Sequence, residues 1–296
     1  RMRPDIVHVH LPNPWAEWNY FAAGAPGRLV VSFHSDIIRQ KMLLRLHAPV
    51  HRRFLQRAAR VIVATPRHIE YSPFLSQLPP ERCTVIPYGI DMKEYAYTRE
   101  MERQVAELRA RCGTPLVLFV GQLVYYKGVE VLIRAMREIE GHLAVIGRGP
   151  LEHQLRALAR EGGLDERVHF LGYVEEDVLR AAYHACDVFC LPSTYRSEAF
   201  GIVQLEAFAC GKPVVSTNLP SGVPWVNRDG ETGLIVPPGD SGALALALRR
   251  LLSDDALRHE MGTAAHARVV REFDADRMAA ATLAVYHDVA GAHDAV

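Results

Sequence analysis

The sequence predicts an α/β protein made of parallel, doubly wound sheets, and three observations carry that expectation. Ten short apolar, β-branched runs recur along the chain, helical patterns separate most of them, and the composition is that of an ordinary globular enzyme. Strand, helix and strand repeated in this way build parallel sheets covered by helices. At ~150 residues per domain, the 296 residues make two domains or one large one. Hydrophobic residues at 49% and charged residues at 23% exclude a disordered chain. Lys plus Arg and Asp plus Glu both total 34, so no strongly basic nucleic-acid binder is announced and no nucleic-acid partner is expected. The five cysteines form no Cys-x-x-Cys pair and no zinc spacing, and are read as reduced thiols of a cytosolic protein.

The first domain is placed at residues 1–92. Its strands are Asp5–Val9, Leu29–Phe33, Val61–Thr65 and Thr84–Pro87, with helices at 37–60 and 67–77. It opens on a strand, without the Gly-rich turn and helix that usually begin a doubly wound half. The first domain is therefore expected to be incomplete, in a chain truncated ahead of Arg1. Residues 93–113 hold the charged run Arg99–Arg111 and end in Gly113-Thr114-Pro115, a stretch read as a linker.

The second domain, 114–272, carries strands Leu116–Val120, Leu143–Ile146, Val168–Phe170, Val188–Leu191, Val214–Ser216 and Gly233–Val236. Helices are expected between and after them at 129–140, 151–162, 175–184, 202–210, 241–252 and 255–272. A last helix at about 276–289, within residues 273–296, is expected to cross back to the first domain. The zero net charge hides an asymmetry: residues 1–92 hold 12 Lys/Arg against 6 Asp/Glu, and the rest hold 22 against 28. Opposite signs point to two bodies with different partners. The longest stretch without Asp, Glu, Lys or Arg, Pro213–Asn227, has 15 residues and three prolines, short of the ~20 apolar residues of a membrane helix.

The most informative stretch is Ser193–Val215, STYRSEAFGIVQLEAFACGKPVV. It reads as strand end, loop and helix, with Gly211 closing the helix. Glu198 lies in the loop and Glu206 eight positions later in the helix, so the two carboxylates flank the helix start. Free amides around Gly201–Val203 favour an anion there, while carboxylates accept hydrogen bonds from sugar hydroxyls. Hydroxyl, phosphate and hydroxyl is the layout of a nucleotide sugar.

These residues resemble the retaining glycosyltransferases of family 4, with their two-domain GT-B fold. The similarity covers nearly the whole chain and rests on Glu-x7-Glu followed by Ala-x-Ala-Cys-Gly-x-Pro-Val. It implies two Rossmann-like domains facing across a cleft, with Glu198 meeting the donor sugar and Glu206 the ribose diol. Phe200, Gly201, Ile202 and Val203 would approach sugar and diphosphate through their backbone.

The second stretch is Phe119–Ile133, FVGQLVYYKGVEVLI. Lys127 stands just before a helix, where a cation meets a diphosphate leaving group. The family places an Arg after the first glycine and a Lys five positions on; here Gln122 replaces the Arg and brings no charge. Arg148, in Gly147-Arg148-Gly149, is a local substitute or a solvated arginine. His34, directly after a strand in VSFHSD, matches the family's His facing the donor sugar. His8 and His10 alternate on the preceding strand, so one of its faces is either a candidate to reach the cleft or simply structural. Tyr173 and Val174 fall where the family lets backbone groups meet the nucleobase; otherwise they are a strand end and turn.

Asp274-Ala275-Asp276 matches the Asp-x-Asp metal motif of the other large glycosyltransferase fold, but stands immediately before a helix, where Asp is a favoured cap. No metal and no cofactor are expected. Gly147-Arg148-Gly149 lacks the third glycine of a dinucleotide fingerprint, which argues against a dehydrogenase. No residue pair resembles the nucleophile and acid/base of a retaining hydrolase. The helix 37–60 carries seven Lys/Arg and no acidic residue. It either rests on an anionic membrane surface or packs its apolar side inward with a solvated basic side.

The expectation is a retaining transferase that moves a hexosyl group, mannosyl among the candidates, from a GDP- or UDP-linked sugar donor to a glycan or lipid-linked acceptor, as in polysaccharide biosynthesis. Its place would be the cytoplasm, including the inner face of the cell membrane. The alternative is a non-catalytic nucleotide-sugar-binding remnant, which Gln122 and the incomplete first domain favour.

Overall fold

The computed structural model describes residues 4–37 and 41–291. Its ten strands are β1 Ile6–Leu11, β2 Arg28–Phe33, β3 Arg60–Val63, β4 Cys83–Val85, β5 Leu116–Val120, β6 His142–Ile146, β7 Val168–Gly172, β8 Val188–Leu191, β9 Val214–Thr217 and β10 Gly233–Val236. The main helices are α1 Pro14–Ala22, α2 Lys41–Arg57, α3 Pro66–Tyr71, α4 Arg99–Cys112, α5 Val129–Ala135, α6 Glu152–Glu161 and α7 Glu176–Ala185. They continue with α8 Val203–Ala209, α9 Val223–Val226, α10 Ser241–Ser253, α11 Asp255–Glu272 and α12 Ala275–Gly291. Each expected strand is present, with ends shifted by no more than two residues.

The chain divides into two compact units. The first takes the chain up to Gly89, the short stretch Pro220–Gly222 and the segment from Ala275. Its sheet is parallel, in the order β1-β2-β3-β4. The two-residue period of the strands sorts their side chains onto two faces. Val9, Leu11, Leu29, Val31, Phe33, Val61 and Val63 pack with Tyr20 of α1 and Phe54 and Leu55 of α2. Val30 and Ile62 point the other way, onto Val285 and Val289 of α12. The last helix is thus part of the first unit, and Arg28 donates to the Val289 carbonyl at 2.6 Å.

The second unit, Ile90–Leu219 with Val223–Asp274, holds a six-stranded parallel sheet in the order β10-β9-β8-β5-β6-β7. The order reverses at β5: the chain winds outward through β6 and β7, then returns to lay β8, β9 and β10 on the other side. One face carries Val117, Phe119, Leu143, Val145, Val188 and Cys190 against α5 and α10. The two glutamate-bearing elements hang from this sheet's carboxyl edge.

Three of these helices, α1, α4 and the short α9, were absent from the sequence expectations. Residues 93–113, read as a linker, instead hold most of a short 3₁₀ turn, Met92–Tyr95, and all of α4, within the second unit. Met101, Leu108 and Cys112 fall on one face of α4 and are buried, so the charged run is the solvated side of an amphipathic helix. The Thr98 hydroxyl caps it, accepting from the Met101 amide, and Gly113 at φ +83° ends it. In α1, Asn13 accepts from the Ala16 amide at 3.1 Å and Pro14 opens the helix, a start signal readable in Asn-Pro. The expected helix 37–60 is α2; Ile38–Gln40 lie outside the described residues.

Candidate functional site

In an open parallel sheet, ligands bind outside the carboxyl ends of the strands where the strand order reverses. In the second unit that point lies between β5 and β8. The loop after β5 brings Lys127 there and the loop after β8 brings Glu198. The Lys127 Nζ lies 2.7 Å from Glu198 Oε2, with both side chains about a tenth exposed. Ser193 Oγ donates to the same carboxylate oxygen at 2.9 Å, and Thr217 Oγ1 of β9 fixes the loop by donating to the Ser193 carbonyl at 2.6 Å. The two loops meet through Gly128, at φ +67°, where a Cβ would sit 2.0 Å from the Pro192 carbonyl oxygen. The Thr194 amide donates to the Tyr126 carbonyl at 2.8 Å beside it. Sequence reasoning named Lys127 and Glu198 separately; the structure joins them as one ion pair.

Next to the pair opens a cavity of about 450 Å³. Its lining includes Gln122 from the β5 loop, Arg148 from the β6 loop, and Tyr173 and Val174 after β7, together with Gly121 and Leu179. Four expected donor-site residues thus meet around one opening. Gly121 borders both features, since a Cβ on it would lie 3.4 Å from Lys127 Cε. Tyr173 is two-thirds exposed, so an aromatic ring stands at the rim.

The loop Phe200–Val203 continues from Glu198 into α8. Phe200 is buried and its ring meets Phe273 edge to face at 6.1 Å, so its side chain anchors the loop. Gly201 is left-handed at φ +74°, and a Cβ there would lie 2.6 Å from Leu191. Ile202 is exposed, and α8 starts at Val203 without a side-chain cap. Glu206 lies one turn into α8. The fully buried Tyr183 donates its hydroxyl to Glu206 Oε2 at 2.5 Å, and Tyr95 hydrogen-bonds the same carboxylate. Burial pushes the Glu206 carboxyl above its ordinary value, and the two phenol hydrogen bonds oppose that. Sequence reading missed Tyr183 and Tyr95, because neither lies in the Glu-x7-Glu stretch and only tertiary packing brings them to it.

In the first unit, His34 follows β2 and belongs to a stacked set. Its Nε2 pairs with His10 Nδ1 at 2.9 Å and its Nδ1 with the Tyr88 hydroxyl. His8 pairs with Ser32 Oγ at 2.8 Å and with the Tyr286 hydroxyl of α12 at 2.5 Å. Burial, reinforced by the neighbouring His10, pulls the His34 pKa below its ordinary value, which favours a neutral imidazole.

Asp274 immediately precedes α12 and Asp276 falls in that helix's first turn, while Asp274 also bridges Ile90. In α2, Phe54 and Leu55 are buried while Arg45, Arg52, Arg53 and Arg57 are exposed, so an inward apolar side and a solvated basic side coexist.

The Lys127–Glu198 pair and the neighbouring cavity both lie at the switch point of the second sheet, and sequence comparison gives the class of protein. The chain belongs to the group 1 glycosyltransferases. Residues 100–268 match the family described as Glycosyl transferases group 1, and residues 1–94 match Glycosyltransferase Family 4.

The chain is 37% identical over 271 residues to the D-rhamnosyltransferase WbpZ of Pseudomonas aeruginosa, covering 92% of this chain and 70% of that one. It is 31% identical to the O-antigen chain mannosyltransferase C of Escherichia coli, covering 95% and 75%. It is 34% identical to the phosphatidyl-myo-inositol mannosyltransferase of Mycobacterium leprae, covering 97% and 74%. Among solved structures, the sucrose-phosphate synthase of Thermosynechococcus elongatus superposes with a TM-score of 0.84 at 28% identity, over 97% of this chain and 74% of that one. The Anabaena HepE structure in complex with UDP shares the fold, with a TM-score of 0.80 at 24% identity, over 95% and 79%. The protein is a glycosyltransferase of the GT-B fold.

Proposed function

We propose that this glycosyltransferase moves a hexosyl group from a nucleotide-diphosphate sugar to a glycan or lipid-linked acceptor with retention of configuration. The observation that carries the reading is the Lys127–Glu198 pair at the switch point, adjoining the cavity of Gln122, Arg148, Tyr173 and Val174. The cavity takes the nucleoside, with Tyr173 and Val174 at the base and Glu206 accepting from the ribose hydroxyls. The diphosphate then lies over Gly121, within reach of the Lys127 ammonium, and Glu198 accepts hydrogen bonds from the sugar.

The bond from the sugar's anomeric carbon to the phosphate oxygen breaks, and the acceptor oxygen bonds to the same face. The acceptor's proton goes to the departing phosphate. The chain supplies orientation and charge stabilisation, with Lys127 meeting the charge that grows on the phosphate. The first unit receives the acceptor. The exposed arginines of α2 hold the enzyme at an anionic cytoplasmic membrane surface, where a lipid-linked acceptor is found. The step draws on no metal. The mannosyl- and rhamnosyltransferases among the relatives support a six-carbon sugar.

A screen of UDP- and GDP-hexoses by thermal shift, followed by transfer assays, tests this reading. A donor at 100 times its dissociation constant stabilises by ~2.7 kcal/mol. Binding followed by transfer, unchanged by added Mg²⁺ or Mn²⁺, is the expected result. Gln122, uncharged beside the diphosphate position, favours a second reading as a binding remnant, and donor binding without any turnover would establish it.

A further inference from the structure

Away from the transferase machinery, α1 and α2 of the first unit bury a carboxylate between two imidazoles. Glu17 of α1 is fully buried. Its Oε2 lies 2.9 Å from His47 Nε2 and its Oε1 lies 3.0 Å from His51 Nδ1. His47 and His51 are four residues apart, so both project from the same face of α2. The three ligand atoms lie within 4.8 Å of one another. Among the described residues, no lysine or arginine pairs with Glu17. A carboxylate removed from water needs a compensating positive charge, and among the described residues only imidazole nitrogens face it.

We infer that Glu17, His47 and His51 form a binding site for one divalent transition-metal ion, with zinc the best match. Two nitrogens and one carboxylate are a borderline donor set that suits zinc and its neighbours rather than magnesium or calcium. Metal–ligand bonds of about 2.0–2.1 Å at tetrahedral angles place neighbouring ligand atoms ~3.3 Å apart. The observed 2.9 and 3.0 Å edges need only a small spreading to admit an ion. The His47 side chain is a tenth exposed, which leaves an approach for the ion and for a water in the fourth position. Such an ion would clamp α1 to α2 and so brace the face that both helices cover on the first sheet. Its role is structural, separate from glycosyl transfer.

The test uses the full chain, stripped of metal by a chelator and titrated with Zn²⁺ against a chromophoric indicator. X-ray absorption is recorded on the loaded wild type. The expected result is one zinc per chain, a higher melting temperature with zinc, and an absorption spectrum showing imidazole and oxygen ligands. His47→Gln and His51→Gln are each expected to weaken zinc binding at least tenfold. No zinc uptake by the wild type, or uptake that both variants leave unchanged, would overturn the inference. The spectrum of the wild type keeps the test decisive should either variant misfold.

Discussion

Replacing Lys127 by Met removes one half of an ion pair whose members are about nine-tenths buried and 2.7 Å apart. Glu198 then keeps a buried charge supported by the Ser193 hydroxyl. Breaking a buried pair from one side costs about 3–5 kcal/mol. In a unit of this size each kcal/mol moves the melting temperature by about 2–4 °C, so a drop on the order of 6–20 °C is expected. Glu198→Gln leaves Lys127 unpaired and costs a similar amount. The double variant removes both charges and is expected to recover at least about 2 kcal/mol of the summed losses. Turnover behaves differently. Loss of a charge-stabilising group costs ~2.7–4 kcal/mol in the transition state, a fall of about 10²–10³ in kcat, and the double variant recovers none of it. Thermal melts and initial rates on the three variants measure both. Additive stability losses together with turnover within a few-fold of wild type would refute the assignment.

Three further outcomes are expected. Burial raises the Glu206 carboxyl above its ordinary 4.5, so the unfolded chain ionises first as pH rises, and this residue's contribution to stability falls above pH 4.5 until the folded group ionises. Glu206→Gln is therefore expected to raise the melting temperature at pH 7 more than at pH 4, and to weaken nucleotide-sugar binding in a calorimetric titration. Gln122→Arg places a cation at the cavity edge beside the diphosphate position and is expected to raise kcat/KM by about tenfold, as a new charge-assisted hydrogen bond would. Arg268 is buried, donates to the Trp225 carbonyl at 3.0 Å, lies 3.1 Å from Glu272 and stacks on Trp225 and Phe273, so Arg268→Ala is expected to cost about 3 kcal/mol in a denaturant melt.

The fold was legible because each strand is a compact β-branched run, and the parallel sheets need helices between them. Register and strand order were not, since nothing local records that the second sheet reverses at β5. The stretch 99–112 read as a linker because its three buried residues, Met101, Leu108 and Cys112, are widely spaced among eight charged or polar ones. At the site, Lys127 and Glu198 each stood out by spacing, but their pairing depends on Gly128 letting two loops touch. Tyr183 and Tyr95 acquire their role only through the packing of α7 and the turn after Ile90 against α8. The Glu17, His47 and His51 cluster was invisible for the same reason: thirty residues separate its carboxylate from its nearer imidazole.

Same-face transfer at a donor site built on the second unit is tested most directly by proton NMR of the first product formed from an α-linked nucleotide hexose. An α-configured product is expected during the initial turnovers, formed by the wild type and lost in Lys127→Met. A β-configured product, or an α product formed equally well without Lys127, would contradict it.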